Sequence, residues 1–179
     1  MRKLTHHEIV ARQVKKAGEQ RLPFEVVLDN IRSLENVGSI FRTSDGVGVR
    51  KLWLCGITGY PPQGGIAKAA VGAEDSVPWE YGKSALQVVE RLKRQGFQIV
   101  LLEQTDGSVP IEEFLPQQDR PLCLVVGNEV DGVTEDVCAL ADAGVEIGMR
   151  GVKNSLNVSV AFGVAAFFLR RRFNPTGSV

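Results

Sequence analysis

Short apolar segments alternate with helix-like segments along most of this chain, and this alternation restricts the fold more than any other feature. The clearest apolar segment is L-C-L-V-V at residues 122–126, in which no position is polar. Strands that are apolar on both faces are typical of parallel sheets buried between helices. The repeated order of strand, helix and strand indicates the same architecture. We therefore predict an α/β fold with a mostly parallel sheet covered by helices on both faces.

Capping residues and apolar spacing place the individual elements. The segment T-H-H-E at residues 5–8 has the form of a capping box and predicts a helix that runs to about residue 20. Asn36 can cap the helix after the first strand. Strands are expected at 26–31, 51–57, 97–103, 121–127 and 145–149. Helices are expected at 36–47, 84–95, 134–141 and 156–172, with a short helix at 66–71. The segment at 77–81 is expected to be extended or irregular, and the segment at 109–115 to be a loop or helical turn.

One domain accounts for most of the chain. A length of 179 residues suits one compact core, and no repeat, low-complexity segment or linker divides the sequence. We expect a basic N-terminal helical extension at 1–25, a single domain at 26–173 and a tail at 174–179.

The charge of the chain gives no general argument for a nucleic-acid partner, because 21 basic and 21 acidic residues cancel. Their distribution is uneven. Residues 1–25 hold six basic residues against three glutamates, and Arg170, Arg171 and Arg172 form a second basic segment. Such segments can contact a polyanion, but from charge alone solvated helix faces are the simpler interpretation.

The cysteines indicate neither a metal site nor disulfide bonds. Cys55, Cys123 and Cys138 form no C-x-x-C pair and no cluster with histidine. Cys55 and Cys123 lie in apolar segments and are expected to be buried thiols. No apolar segment is long enough to span a bilayer. We therefore expect a cytoplasmic protein with no metal and no membrane partner.

Three loops carry more polar groups than turns require. All three follow or precede predicted strand ends, where open parallel sheets bind ligands. In the first, D-N-I-R-S-L-E-N-V-G-S-I-F-R-T at 29–43, Arg42 is either a surface residue paired with Asp45 or Glu35, or an arginine offered to a phosphate or carboxylate.

The other two loops are equally polar. In G-N-E-V-D-G at 127–132, Glu129 either holds a ligand or orients a loop N–H, although the segment alone also fits a tight turn. Before the last helix, Asn154, Ser155, Asn157 and Ser159 crowd into six positions, where one capping side chain would be enough. No G-x-G-x-x-G fingerprint and no P-loop is present, which argues against the usual nucleotide-binding sites.

Together the three loops resemble the SpoU/TrmH branch of the SPOUT methyltransferase superfamily. The segments N-V-G-S-I-F-R-T, G-N-E-x-x-G and S-L-N-V-S-V-A match in order, and the resemblance spans residues 28–170. One departure is Gly148, where the family commonly has proline. The resemblance implies a C-terminal trefoil knot, a homodimer, and methylation of ribose 2′-hydroxyls in tRNA or rRNA with S-adenosylmethionine.

The resemblance also implies roles for particular residues. Arg42 would be the catalytic residue, Asn36 its positioning partner, and Ser155 a group that orients the ribose. RNA would meet Arg12, Lys15, Lys16, Arg42 and Lys68. The cofactor would be bound by Glu103, Gln104, Gly127, Asn128, Glu129, Gly132, Ile147, Met149, Ser155, Leu156 and Asn157.

We expect tRNA rather than rRNA as the substrate, because many rRNA-directed relatives carry an additional N-terminal RNA-binding domain. The alternative is a non-catalytic RNA-binding or assembly factor, which would need no such set of polar residues. A small-molecule methyltransferase of ordinary α/β type is a third possibility, which the missing glycine fingerprint disfavours. Tyr60, Trp79 and Tyr81 either stack on RNA bases or simply pack in a loop.

Overall fold

The computed structural model describes residues 1–16 and 21–173. The helices are α1 (His6–Lys16), α2 (Leu34–Val47), α3 (Gly64–Ala70), α4 (Ala73–Ser76), α5 (Ala85–Arg94), α6 (Glu135–Cys138) and α7 (Val158–Phe173). The strands are β1 (Phe24–Asp29), β2 (Lys51–Cys55), β3 (Trp79–Gly82), β4 (Gln98–Leu102), β5 (Ser108–Pro110), β6 (Leu122–Val126) and β7 (Ala143–Glu146).

The seven strands form one sheet in the order β3-β2-β1-β6-β4-β7-β5. Every pairing between these strands is parallel. The two central strands, β1 and β6, are buried at every residue, which explains why their sequences do not alternate between apolar and polar positions. The predicted α/β fold with a parallel sheet is confirmed. The trefoil knot stays a prediction.

Helices cover both faces of the sheet. On one face, α2, α3 and α7 pack on the strands through residues such as Phe41, Ile66 and Phe162. On the other face, α5 and α6 pack through Val89 and Val137. The apolar residues of these helices therefore form one buried cluster on each side of the sheet, as the sequence pattern predicts.

Several element boundaries differ from the sequence-based expectation. Helix α2 begins at Leu34, and its cap is Ser33, whose Oγ accepts from the Asn36 N–H at 3.2 Å; the expectation that Asn36 is the cap was wrong. The segment at 77–81, expected to be extended or irregular, overlaps β3 at residues 79–81, and the segment at 109–115, expected to be a loop or helical turn, begins with the last two residues of β5. Both are short strands at the sheet edges.

At the N-terminus the capping box is confirmed. The Thr5 N–H donates to Glu8 Oε2 at 2.8 Å, and the Glu8 N–H donates to Thr5 Oγ1 at 3.4 Å. The last four residues expected in this helix, 17–20, and the expected tail at 174–179 lie outside the described residues. The domain boundary expected at residue 25 falls inside β1.

The remaining general expectations concern thiols and membranes. Cys55 and Cys123 are buried and unpaired with other cysteines, as expected. Burial raises the pKa of the Cys55 thiol to about 12. Within the described ranges, no helix is both long enough and apolar enough to cross a bilayer.

Candidate active site

A cavity of about 380 Å³ opens at the carboxyl ends of β4, β6 and β7, beside the start of α7. The predicted cofactor residues come from four separate segments of the chain, and the fold brings all of them to this cavity. They are Glu103, Gln104, Gly127, Asn128, Glu129, Gly132, Ile147, Met149, Ser155, Leu156 and Asn157. The walls also include residues that were not predicted to bind the cofactor: Leu102, Val126, Val130, Val145, Glu146, Asn154, Val158 and Ala161.

The loop after β6 folds back tightly over the strand end, and two glycines allow this. A Cβ atom on Gly127 would lie 2.2 Å from the Gly132 carbonyl carbon and 2.2 Å from the Val133 nitrogen. Gly132 has a φ of +70°, which other residues rarely adopt. Asn128 and Gly132 exchange backbone hydrogen bonds of 2.9 and 3.0 Å. Both glycines are therefore required by the backbone that forms the cavity edge.

Side chains fix this loop from both sides. Asn128 Oδ1 accepts from the N–H groups of Val130 and Asp131 at 2.8 and 3.1 Å. Its Nδ2 donates to the Asn30 carbonyl at 2.8 Å. Glu103 Oε2 accepts from the Val133 N–H at 3.1 Å. Asn128 and Glu103 thus hold the cavity wall in place, in addition to lining it.

Asp29, which the sequence did not indicate as a site residue, supports this wall from beneath. Asp29 is 1% exposed, and its Oδ2 accepts from the N–H and the hydroxyl of Thr134 at 3.0 and 2.9 Å. Its Oδ1 accepts from Asn30 Nδ2 at 2.8 Å. Asn30 has a φ of +58°, which is uncommon for residues other than glycine. The available signal was the pair D-N at the end of a buried strand.

Glu129 connects the loop after β6 to the start of α2. Its Oε2 accepts from the Arg32 N–H at 2.9 Å, and its Oε1 accepts from the Ser33 N–H at 3.1 Å and from Asn36 Nδ2 at 2.9 Å. Burial opposes the charged form, but these hydrogen bonds outweigh it and hold the pKa of Glu129 below its ordinary value. Of the two roles considered for Glu129, the structure shows the orientation of loop N–H groups.

The polar cluster before α7 has several distinct tasks. Asn157 Oδ1 accepts from the Ser159 N–H at 3.0 Å and so caps α7, while its Nδ2 donates to Asn36 Oδ1 at 3.1 Å. The Asn154 carbonyl accepts from Gln104 Nε2 at 2.7 Å. Ser155 has no hydrogen-bond partner within residues 1–16 and 21–173 and lines the cavity. Asn157 thus caps the helix and bonds to α2, Asn154 and Ser155 line the cavity, and the Ser159 hydroxyl donates to Asn157 Oδ1.

A chain of hydrogen bonds from Glu129 through Asn36 to Asn157 therefore connects the three polar loops. The bonded positions are 93 and 121 residues apart in sequence. Asn36 bonds to these two residues and, in the part of the chain that the structure describes, not to Arg42.

Arg42 is exposed on α2. The expected alternative, an ion pair with Asp45 or Glu35, is not formed among the described residues. Asp45 instead lies 3.7 Å from Arg21 and accepts from Ser76 at 2.8 Å, and Glu35 accepts from Ser33. The guanidinium therefore remains available to a ligand.

The other predicted RNA contacts are dispersed. Arg12 is exposed on α1, and the side chains of Lys15 and Lys16 lie outside the described part of that helix. Lys68 is exposed at the end of α3. Of the basic C-terminal segment, Arg170 donates to the Gly46 carbonyl and Arg172 to the Glu112 carbonyl, so this segment is partly engaged within the domain.

Comparisons with known proteins agree with this geometry. The SpoU rRNA Methylase family matches residues 23–167. A tRNA (guanosine(18)-2'-O)-methyltransferase of Aquifex aeolicus is 35% identical over 156 residues, which cover 85% of this chain and 71% of the relative. The enzyme of the same name from Escherichia coli is 32% identical and is covered to 65% of its length. The chain thus spans about two thirds of these relatives.

Two solved methyltransferase structures superpose on this chain. The A. aeolicus TrmH/SpoU tRNA modifying enzyme superposes with a TM-score of 0.81 at 30% identity, covering 95% of this chain and 85% of that one. An AdoMet-bound rRNA methyltransferase from Sinorhizobium meliloti superposes with a TM-score of 0.78 at 28% identity, covering 87% and 57%.

Proposed function

The chain belongs to the SpoU rRNA methylase family, and from this premise we propose that it methylates a ribose 2′-hydroxyl of RNA with S-adenosylmethionine as the methyl donor. The resemblance predicted from the three loops is confirmed. The observation that carries the proposal is the hydrogen-bond chain Glu129–Asn36–Asn157, which assembles the family's three motifs at the edge of one cavity. A tRNA substrate is favoured, since the Aquifex and Escherichia relatives are named for tRNA.

The cavity suits the methyl donor in size and chemistry. Its volume of about 380 Å³ lies in the range of small-molecule sites. Val126, Ile147 and Leu156 offer apolar walls for a flat ring, and the carboxylates of Glu103 and Glu146 offer negative charge to a cationic ligand. When bound, S-adenosylmethionine supplies a methyl group activated by an adjacent sulfonium. The chain's own task is to place the acceptor oxygen in line with that group.

Arg42 provides the charge that the acceptor side needs. A 2′-hydroxyl is a poor nucleophile until its proton leaves. Free arginine has a pKa of roughly 12.5–13.8 and is a poor base. Arg42 instead binds the phosphate next to the target ribose, and guanidinium and phosphate together accept or polarise the hydroxyl proton. The exposure of Arg42 and its lack of an ion pair within the described residues support this role.

Asn36 and Ser155 orient the acceptor in different ways. Asn36 is fixed by Glu129 and Asn157, but an amide has two N–H donors and two acceptor sites, so one of each remains for the ribose. Ser155 lines the cavity, and its hydroxyl is not engaged elsewhere in the described chain. The side chain of Asn36 therefore has a fixed orientation, whereas the Ser155 hydroxyl is able to rotate to meet the ribose.

A homodimer completes the proposal. Val160 and Phe167 are 51% and 48% exposed on α7. Seven positions on a helix amount to nearly two turns, so both side chains lie on one face. Gly163 and Gly46 bring this face close to α2, since a Cβ on Gly163 would lie 3.9 Å from Thr43 and one on Gly46 would lie 4.0 Å from Phe167. A second copy would cover this apolar face and lie near Arg42.

A methyl-transfer assay tests the proposal. Purified protein and radiolabelled S-adenosylmethionine are incubated separately with total tRNA and with rRNA from a strain that lacks the gene, and the labelled nucleoside is identified after digestion. We expect a 2′-O-methylnucleoside in the tRNA pool. Arg42→Ala should lower turnover by at least about 100-fold, while the control Arg94→Ala, on the opposite face of the sheet, should not. Full turnover by Arg42→Ala would contradict the assigned role.

A further inference from the structure

Three aromatic rings form a cluster at the sheet edge near the active site. The rings of Tyr60 and Tyr81 have centroids 5.0 Å apart at 47°, and Tyr60 stacks on Trp79 at 6.1 Å and 28°. Trp79 is half-buried against the core, whereas Tyr60 and Tyr81 are 45% and 41% exposed. Ile57 beside them is 68% exposed. We call Ile57, Tyr60 and Tyr81 the aromatic platform.

The strand β3 separates the platform from the ion pairs of this edge. Successive side chains of a strand point to opposite faces, so Tyr81 shares a face with Trp79 while Glu80 lies on the other. Glu80 is engaged there by Lys51 at 2.6 Å and Arg91 at 3.9 Å. The aromatic and charged residues of β3 therefore lie on different faces, and Glu80 with its cations does not cover the exposed ring of Tyr81.

The platform is fixed rigidly to the loops of the active site. Thr58 Oγ1 accepts from the Ile31 N–H at 2.9 Å and donates to the Leu28 carbonyl at 3.2 Å. The Ile57 N–H donates to Asn30 Oδ1 at 3.1 Å, and Asn30 in turn accepts from the cavity residue Asn128. The platform thus continues the surface formed by the first polar loop.

Helix α2 brings the platform even closer to the acceptor side. A Cβ on Gly59 would lie 2.3 Å from Leu34 Cδ2, and one on Gly65 would lie 2.9 Å from Leu34 Cβ. The loop that carries Tyr60 therefore packs on the first turn of α2, and Asn36 lies in that same turn. An RNA with its target ribose at Asn36 would therefore have the platform within the reach of its neighbouring nucleotides.

We propose that the aromatic platform stacks one unpaired RNA base that flanks the target nucleotide. This inference rests on the proposed function. Exposed aromatic rings with cations nearby match the chemistry of a nucleotide, because a base stacks on the rings and its phosphate meets the cations. Three exposed cations lie close to the platform along the chain: Arg32 follows Ile31, Lys83 follows β3, and Lys68 is on α3, which begins four residues after Tyr60.

The mixed charge around the platform favours a base over the backbone as the main contact. Glu74 and Asp75 line a small hollow together with Pro61 and Pro62, next to Tyr60 in sequence. These carboxylates weaken the attraction for the phosphate backbone of RNA. They do not affect the stacking of a base on the tyrosine rings, which depends on the ring faces and tolerates any base. The contribution of the tyrosines to binding should therefore change little with salt, unlike that of Lys68.

The test compares two double variants. In Tyr60→Leu/Tyr81→Leu the platform keeps apolar bulk but loses its rings, and in Tyr60→Phe/Tyr81→Phe it keeps the rings. Filter binding measures the Kd for total tRNA at about 50 and 200 mM salt, and the transfer assay measures KM and kcat. Thermal unfolding and calorimetry with S-adenosylmethionine check the fold and the cavity of each variant.

We expect the leucine variant to raise the Kd and KM for RNA by roughly 10-fold at both salt concentrations, with unchanged kcat and cofactor affinity. The phenylalanine variant should bind like wild type, and Lys68→Gln should lose affinity mainly at low salt, where its contact with a phosphate is least screened. Ultraviolet crosslinking of the wild-type RNA complex should give adducts in peptides that contain Tyr60 or Tyr81. This measurement keeps the proposal testable if the leucine variant does not fold.

The outcomes separate this inference from the proposed function. If the leucine variant binds RNA as tightly as wild type, or if crosslinks form only at other residues, the platform does not stack an RNA base, even when methyl transfer is intact. The exposed rings would then fit a protein partner instead. If the leucine variant binds RNA more weakly than wild type but the wild-type protein transfers no methyl group, the stacking proposal is supported and the proposed function is refuted. A wild-type protein that binds no RNA would overturn both.

Discussion

Replacing Glu129 by glutamine tests whether one carboxylate holds the loops of the site together. Glu129 accepts three hydrogen bonds, one at Oε2 from Arg32 and two at Oε1 from Ser33 and Asn36. Glutamine has nearly the same shape but only one oxygen. If that oxygen keeps the two bonds of Oε1, the NH₂ group must face the Arg32 N–H, and two donors then oppose each other.

The magnitude follows from this one lost bond. A hydrogen bond to a charged group contributes about 1.5–3 kcal/mol. Because Glu129 is exposed, water replaces part of it, and we expect a loss of about 1–2 kcal/mol. For a chain of this size, each kcal/mol lowers Tm by about 2–4 °C. The variant should therefore unfold about 2–8 °C below wild type, and turnover should fall because Asn36 loses its fixed orientation.

The pH dependence has a definite sign. The folded-state pKa of Glu129 lies below its ordinary value, so the carboxylate stabilises the fold above the unfolded pKa of about 4.3. That contribution disappears as the pH falls through the lower folded-state pKa. The difference in Tm between wild type and the variant should stay constant from about pH 8 to pH 5.5 and narrow below about pH 4.

Circular dichroism melts of both proteins across this pH range are the assay. Glu90→Gln is the matched control, because Glu90 is exposed on α5 and its side chain has no partner within the described residues. Equal Tm values for Glu129→Gln and Glu90→Gln at pH 7 would refute the reasoning.

Three further predictions follow from the packing of the site. Gly127→Ala should abolish cofactor binding in calorimetry, since its Cβ would lie 2.2 Å from backbone atoms, whereas Gly107→Ala, where nothing lies within 4 Å, should bind normally. Asn157→Ala should cost about 1 kcal/mol in denaturant unfolding through the lost α7 cap, and a value near zero would contradict that role. Native Cys55 and Cys123 should resist iodoacetamide at pH 8, because burial raises the pKa of both thiols; mass spectrometry showing rapid native alkylation would disprove this.

The strands were predictable because burial on both faces leaves a continuous apolar signal. The expected strand at 121–127 encloses β6 with one extra residue at each end. The edge strands β3 and β5 gave no such signal, since β3 is only partly buried and has an aromatic and a charged face. Periodicity cannot separate such a strand from an irregular loop.

The start of α2 shows a different reason for error. Both Ser33 and Asn36 are suitable caps by local rules. The choice is made by Glu129, which binds the amide of Asn36 from 93 residues away and leaves Ser33 to cap the helix. A capping rule that considers only neighbouring residues cannot include a hydrogen bond from such a distant side chain.

The candidate site was predictable as a set of residues but not as a network. The family resemblance implied eleven cofactor residues, and all eleven are among the residues that line one cavity. The motifs did not identify Asp29 and Asn30, which support the wall from below, because their effect passes through backbone geometry and a φ of +58°. They also did not show that Asn36 bonds to Glu129 and Asn157 rather than to Arg42.

The strand order has a consequence for the synthesis of this protein. In the centre of the sheet β1 pairs with β6. Leu28 therefore cannot pair with Val126 until about a hundred further residues have been synthesised. At roughly 5–20 residues per second the ribosome needs about 5–20 s to make that interval. During this time one edge of β1, which is buried along its whole length in the folded protein, has no partner strand and can pair with other chains or bind chaperones. The bond from Asn36 to Asn157 can form only after residue 157 has been made, so the three polar loops of the site are joined later still.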